Sequence, residues 1–355
     1  MVKEGSTSLR EILYLLPPDM MAERWTGKRV TRAQAESVSG ISDIRSTECF
    51  EAEMKSLLAS SVETLFLSTF KAKPTDRDRE AQYYQKTAES LRPDLKIGDL
   101  NALIRELRLI KSPEEIEALR EAERITKEGI LAMMHRSHDG MYEYQYKAEF
   151  DRAISQYGPA MHGFPPIISA GQNNFIIHYY EYTGQAHDGD LVLNDVGVNF
   201  DGLICDVSRA WPVNGKFTEL QKRMFDCALQ TSNRMFQMIR PGMKMADVDA
   251  GNRAYCAELL TDIGVLKDPS EVGRVMWHGG AHHIGFDVHD VVKMPEFIAP
   301  GMTFCVDIGI YDEESGIGFR LEDNCLVTET GAENLSAAIP RTTEDIESEM
   351  RRGLR

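Results

Sequence analysis

Residues 189–211, GDLVLNDVGVNFDGLICDVSRAW, and residues 301–327, GMTFCVDIGIYDEESGIGFRLEDNCLV, read as one device written twice. Each contains two runs rich in Val, Ile, Leu and aromatic residues. The runs are separated by turn residues, near Phe200-Asp201-Gly202 in the first copy and around Glu313 to Gly316 in the second. Such runs, broken by Gly or Asp, are strand–turn–strand patterns. The offsets repeat as well: Gly189, Asp195 and Gly197 recur as Gly301, Asp307 and Gly309. A histidine stands at a similar distance upstream of each copy, His178 and His289. A Gly-Met pair leading into a helical stretch also precedes each, Gly140-Met141 and Gly242-Met243. This self-similarity predicts a duplicated α+β half-domain.

The acidic residues inside the two hairpins suggest chemistry. Opposed residues of an antiparallel hairpin have a constant sum of positions. A first turn centred between Phe200 and Asp201 sets Asp195 against Asp206, and a second centred between Glu314 and Ser315 sets Asp307 against Glu322. Opposed Cβ atoms lie ~4.5–5.5 Å apart, so each pair repels. Leu193, Cys205, Val207, Val306 and Leu321 flank them, so at least one face of each hairpin is buried. Buried carboxylates without compensation are very costly. A bound cation would resolve the conflict. A solvated acidic patch neutralised by Arg209 and Arg320 would resolve it too, and the hairpins alone do not choose between these.

The histidines shift the balance toward metal. His278, His282, His283 and His289 fall within HGGAHHIGFDVHD, residues 278–290. Gly279, Gly280 and Gly285 argue against a regular helix there. Imidazole mixed with carboxylate suits Mn²⁺, Co²⁺, Fe²⁺ or Zn²⁺ better than Ca²⁺. The six cysteines form no CxxC pair, so a structural zinc–thiolate site is not expected.

The rest of the chain frames these motifs. Ser112, Pro113 and Glu115 open a helix over PEEIEALREAERITKEGILAMM with N-cap, N1 and N3 residues in place. A domain boundary is therefore expected near Leu109 to Ser112, giving residues 1–110 and 111–345. In the first part, ILYLLPP and VETLFLSTF read as strands and TDRDREAQYYQKTAESL as a helix. Later helices are expected from about Glu219 to Ile239 and over residues 244–264, the second ended by Gly264.

A net charge of −16 argues against a general nucleic-acid binder. The start, MVKEGSTSLREILYLLPPDMM, lacks a secretory pattern, and no run approaches the ~18 apolar residues of a membrane span. Scattered unpaired cysteines suit a reducing compartment, so a cytoplasmic location is expected.

From about Glu106 to Glu333 the chain resembles the pita-bread metallopeptidases, specifically aminopeptidase P and its relative prolidase. RLIKSPEEIEALREAERIT, IIHYYE, HGGAHHIGFDVHD, APGMTFCVDIGIY and GIGFRLEDNCLVTETGAENLS carry the resemblance, together with the first hairpin and its extension to Gln221. It implies an α+β pita-bread (creatinase/aminopeptidase) fold with an internal pseudo-two-fold repeat. It also implies Asp195, Asp206, His282, Asp307 and Glu322 as ligands of two divalent ions, with Asp206 and Glu322 bridging. Manganese is the first choice, with cobalt, iron or zinc as alternatives. The family usually has Glu at the position of Asp307, where it is also proposed to transfer the proton. Asp is shorter by one methylene. His178, His278 and His289 match outer histidines that hold the substrate carbonyl and developing oxyanion, and Arg320 matches an arginine that orients the carboxylates. MMAERWTGKRV, residues 20–30, resembles part of the family's N-terminal domain, here expected to be shortened.

The implied activity is release of the N-terminal residue from Xaa-Pro peptides by hydroxide formed at the metals. Proline offers no amide N–H, a donor that most peptidases need. An apolar pocket containing Phe164, Phe286 or Trp277 would suit its ring. The alternatives are a prolidase acting on Xaa-Pro dipeptides and a catalytically weakened peptide-binding protein of the same fold. A proline-containing peptide is the expected partner, and a homodimer the expected assembly.

Overall fold

The computed structural model describes residues 1–4, 8–60, 62–68, 79–158 and 161–353. The chain divides into two compact units, Met1–Leu103 and Ile104–Arg355.

The first unit pairs its strands in twos. β1 (Val2–Glu4) is antiparallel to β2 (Ser8–Arg10), β3 (Leu13–Leu15) is parallel to β4 (Ile44–Ser46), and β5 (Thr64–Leu67) is parallel to β6 (Lys96–Asp99). Between them lie α1 (Met20–Thr26), α2 (Arg32–Ser39), α3 (Phe50–Leu58) and α4 (Arg79–Leu91). β3 stops short of Pro17 and Pro18, where ladder N–H groups would be missing. Thr69 to Asp78, the end of the expected second strand and the start of the expected helix, lie outside the described residues. A small core forms from Leu58, Ala88 and Leu95 against Leu65 and Ile97. The parallel partners β4 and β6 escaped sequence reading because runs this short carry no detectable alternation.

α5 (Leu100–Leu109) leads into the second unit, where α6 (Pro113–Arg136) starts as its capping residues require. Ser112 Oγ accepts from Glu115 N–H at 3.2 Å, and the Glu115 carboxylate accepts from Ser112 N–H at 2.7 Å. α6 buries Leu119, Ala122, Ile125, Ile130 and Met133 and crosses α7 (Glu143–Ile154) at Gly129. A Cβ there would lie 2.4 Å from the Phe150 ring.

Four short strands, β7 (Met161–His162), β8 (Ile167–Ala170), β9 (Leu191–Val196) and β10 (Val198–Phe200), come next. β11 (Leu203–Ile204) and β12 (Val207–Pro212) follow. They form sheets ordered β12-β9-β8 and β11-β10-β7. After α8 (Glu219–Met238) and α9 (Met245–Asp262), the long hairpin of β13 (Thr303–Asp312) and β14 (Ile317–Val327) pairs onward to β15 (Ala332–Asn334). α10 (Thr343–Gly353) completes the unit, which thus continues past residue 345.

Both hairpins are buried on both faces, and period-2 alternation sorts their residues. Ile308, Ile310, Phe319 and Leu321 enter the main core with Met224, Phe225 and Ala228 of α8. Cys305, Asp307, Arg320, Glu322 and Asn324 occupy the opposite face.

The register of the second hairpin is the expected one, with Asp307 opposite Glu322. That of the first is not: Asp195 lies opposite Ser208, not Asp206. The turn consists of Asp201 and Gly202 alone, with φ of 50° and 85°. Two consecutive residues with φ > 0 make the tight primed turn that matches strand twist. It moves the hairpin centre by one residue and each pairing by two. Parity is kept, so Asp206 stays on the face of Asp195, one diagonal step away.

Candidate metal centre

Side chains stitch the two hairpins together. Asp206 N–H donates to Asn324 Oδ1 at 2.8 Å, and Asn324 Nδ2 donates back to the Asp206 carbonyl at 2.5 Å. Ser208 Oγ donates to Glu322 Oε2 at 3.0 Å and accepts from Arg320 Nε at 3.1 Å. Buried Arg209 donates to the Glu322 carbonyl at 2.7 Å and pairs with Asp323 at 2.7 Å. The carboxylates of distant strands are thereby held at fixed separations.

The histidine loop is placed by pairing alongside β13. Asp307 N–H donates to Gly280 O at 3.0 Å, Cys305 N–H to His282 O at 2.9 Å, and Ile284 N–H to Thr303 O at 3.2 Å. Gly280 permits this approach, since a Cβ there would lie 1.9 Å from the Asp307 carbonyl oxygen. The segment is extended, not helical, as its glycines imply. It delivers the His282 ring to the carboxylates.

His282 Nε2 lies 3.5 Å from Asp206 Oδ2 and 3.6 Å from Glu322 Oε1. One ligand atom from each of Asp206, His282, Glu322 and Cys305 falls within 4.8 Å of the others. Asp195 and Asp307 border that set of four. Asp195 Oδ2 is held by Arg320 Nη2 at 2.7 Å, and Asp307 Oδ2 lies 3.3 Å from His278 Nδ1. The other nitrogen of His278 meets Tyr311 OH at 2.9 Å, which also accepts from Arg320 Nη1 at 2.9 Å. His289 stacks on His282 with ring centroids 4.1 Å apart, and exposed His178 stacks on Tyr180 at 6.3 Å.

Of the residues suggested for an apolar pocket, Phe164 lies against Gly197 of the first hairpin. Trp277 stacks on Tyr311 at 4.8 Å, whereas Phe286 packs with Leu119 and Leu203 beneath Arg108.

The electrostatics are those of a cation site. Asp195 Oδ1, Asp206 Oδ1, Asp307 Oδ1 and Glu322 Oε1 are buried and meet no hydrogen-bond donor among the described residues. Native proteins seldom leave such atoms orphaned without an ion or water to satisfy them. Burial, and then repulsion from Glu322, push the Asp206 and Asp307 carboxyls well above the usual range. Burial opposes the charged form of Glu322 too. The His282 imidazole beside it, with Arg320, outweighs it and holds Glu322 low. Burial likewise opposes His282 protonation, but Glu322 prevails and raises it. Burial lowers His278 and His289. Oxygen and nitrogen donors about 3.5 Å apart are what bonds of roughly 2.0–2.2 Å to a shared ion produce, so the residues fit a divalent metal.

Sequence reasoning missed Cys305, Ser208, Tyr311 and Asn324. Each lies two or four positions along a strand from an expected site residue and so shares its face. That spacing was the available signal.

Residues 117–329 match the family model of metallopeptidase family M24, and residues 1–66 that of the aminopeptidase P N-terminal domain. The chain belongs to metallopeptidase family M24. Within it, the N-terminal match puts this M24 chain with aminopeptidase P. It is 29% identical to the Xaa-Pro aminopeptidase of Escherichia coli over 372 residues, covering 99% of this chain and 84% of that one. It is 28% identical to human Xaa-Pro aminopeptidase 3, covering 96% and 70%. Among solved structures, E. coli aminopeptidase P with the inhibitor Pro-Leu superposes with a TM-score of 0.87 at 29% identity, covering 97% of this chain and 83% of that one. The M24 chain shares the pita-bread fold of these proteins. Among its described residues no helix is long and apolar enough to cross a membrane.

Proposed function

We propose that the chain is a metal-dependent exopeptidase that releases the N-terminal residue from peptides with proline second. The observation that carries this is the gathering of Asp206 and Glu322 around the His282 imidazole, in a site where four buried carboxylate oxygens meet no donor among the described residues. Asp206 and Glu322 would be shared between two ions, Asp195 would complete one and His282 the other, with Asp307 beside them. When bound, the ions supply Lewis acidity and lower the pKa of water to near 7. Manganese is the ion the resemblance implies.

The chain's own residues would do the rest. Arg320 fixes Asp195 directly and Glu322 through Ser208. Asp307, whose carboxyl is biased toward holding a proton, is placed to accept one and pass it on. His278 is held by the Gly279 carbonyl at Nδ1 and by Tyr311 at Nε2, with Asp307 Oδ2 3.3 Å from Nδ1, and so would orient Asp307. His289 and His178, on the exposed side, are free to donate to a substrate carbonyl. A homodimer, a cytoplasmic location and a proline-containing peptide as partner complete the reading; the free thiols support the location.

The test is hydrolysis of Xaa-Pro tripeptides and dipeptides by metal-loaded protein, with D206A and H282A beside it. Loss of cleavage in both variants is expected, and retained cleavage in both would refute the site. A strong preference for the dipeptide would instead identify a prolidase.

A further inference from the structure

Asp307 and Cys305 alternate on β13 and share a face, but only Cys305 places its donor atom inside the set of four. Its Sγ lies 3.9 Å from Asp206 Oδ2 and accepts from Asn324 Nδ2 at 3.5 Å. The residue is fully buried. Asp206 and Glu322, each with a buried carboxylate oxygen that meets no donor among the described residues, belong to the same set. Asp307, one methylene shorter than the family's usual Glu, turns an oxygen to His278.

We infer that Cys305 is a sulfur ligand of the metal centre, and that it shifts the site's preference from manganese toward thiophilic ions: zinc, cobalt(II) or iron(II). The inference rests on the metallopeptidase reading above.

Geometry supports it. Bonds of about 2.3 Å to sulfur and 2.0–2.1 Å to oxygen or nitrogen at a tetrahedral ion set donor–donor edges of about 3.3–3.6 Å. The observed 3.5, 3.6 and 3.9 Å are near those edges. Coordination would exchange one bond for another. The S–H proton leaves to solvent by way of a neighbouring carboxylate as the sulfur–metal bond forms, and nothing is oxidised. A thiol bound to a cation gives up its proton as it coordinates. Soft thiolate selects zinc and related ions over manganese, which prefers oxygen. Cys205 is no rival. Its Sγ lies 3.1 Å from Thr126 Oγ1, outside the set of four.

The experiment loads metal-free full-length protein with Co²⁺ or Zn²⁺. Cobalt should show a near-ultraviolet sulfur-to-metal charge-transfer band, and zinc X-ray absorption a sulfur scatterer at about 2.3 Å. Both signals should vanish in C305S and C305A and persist in C205S. The zinc-over-manganese preference in competition should fall on the order of 10–100-fold in C305S. Cobalt or zinc bound without a sulfur signature would overturn the inference and leave the peptidase reading standing. Failure to bind any of these ions would overturn both. Should the Cys305 variants not fold, X-ray absorption of the unaltered protein decides alone.

Discussion

Replacing Asp206 by Asn separates a metal-ligand cluster from an ordinary buried ion pair, because the two differ in the sign of the effect. In the metal-free protein, Asp206 and Glu322 offer oxygens within 4.8 Å of each other. At that separation two carboxylates repel by about 3.5 kcal/mol at an effective dielectric of ~20. An imidazolium at His282, 3.5 Å from Asp206, attracts by about 4.7 kcal/mol on the same footing and so more than offsets it. The uncompensated part is the burial of the charge, which reaches several kcal/mol per ion. The amide removes the charge and keeps the volume. D206N should therefore stabilise the metal-free protein by about 1–3 kcal/mol near pH 8, equivalent to roughly 2–10 °C in Tm for a unit of this size.

The sign of the pH dependence follows from the raised carboxyl. With its folded pKa above the unfolded one, Asp206 contributes full stability below the unfolded value. That stability is lost as pH rises through the folded pKa. The advantage of D206N should thus be small near pH 4 and grow with pH. Thermal melts of both proteins after chelation, then with added Mn²⁺ or Co²⁺, measure this. The parent should gain Tm with metal and D206N should not. A variant that melts lower without metal and still gains Tm with it would show that Asp206 serves as a structural anion.

Three further outcomes are expected. D307E restores the longer carboxylate and should raise bound metal per chain, read by elemental analysis; reduced metal content would show that the surrounding residues have adapted to Asp. R209M should destabilise the second unit by about 3–5 kcal/mol in urea unfolding, because it leaves Asp323 buried with Arg341 and the Ser232 hydroxyl and strips the Glu322 and Pro340 carbonyls of a donor; a loss under about 1 kcal/mol would contradict that reading. Metal affinity should rise with pH, since ions must displace protons from the raised Asp206 and Asp307 carboxyls. Calorimetry in buffers of different ionisation enthalpy would detect the released protons, and an affinity flat with pH would argue against it.

Much was legible in the chain alone. The alternation of Val306, Ile308 and Ile310 with Asp307 and Gly309 determined which face of β13 met the core. Ser112, Pro113 and Glu115 determined where α6 began. These are local matters, set by pleat and hydrogen-bonding geometry within a few residues. The opposition of Asp307 and Glu322 was legible too, because the loop between their strands left one natural centre.

Tertiary structure decided the rest. The first hairpin's register depended on Asp201 and Gly202 both taking positive φ, an alternative the residue types allowed without requiring. The tie from Arg320 through Ser208 to Glu322, and the arrival of Cys305 beside His282 while Asp307 turned to His278, depended on how two hairpins about a hundred residues apart dock. Strand alternation names the face a side chain occupies, but only docking determines which atoms from the other hairpin it meets.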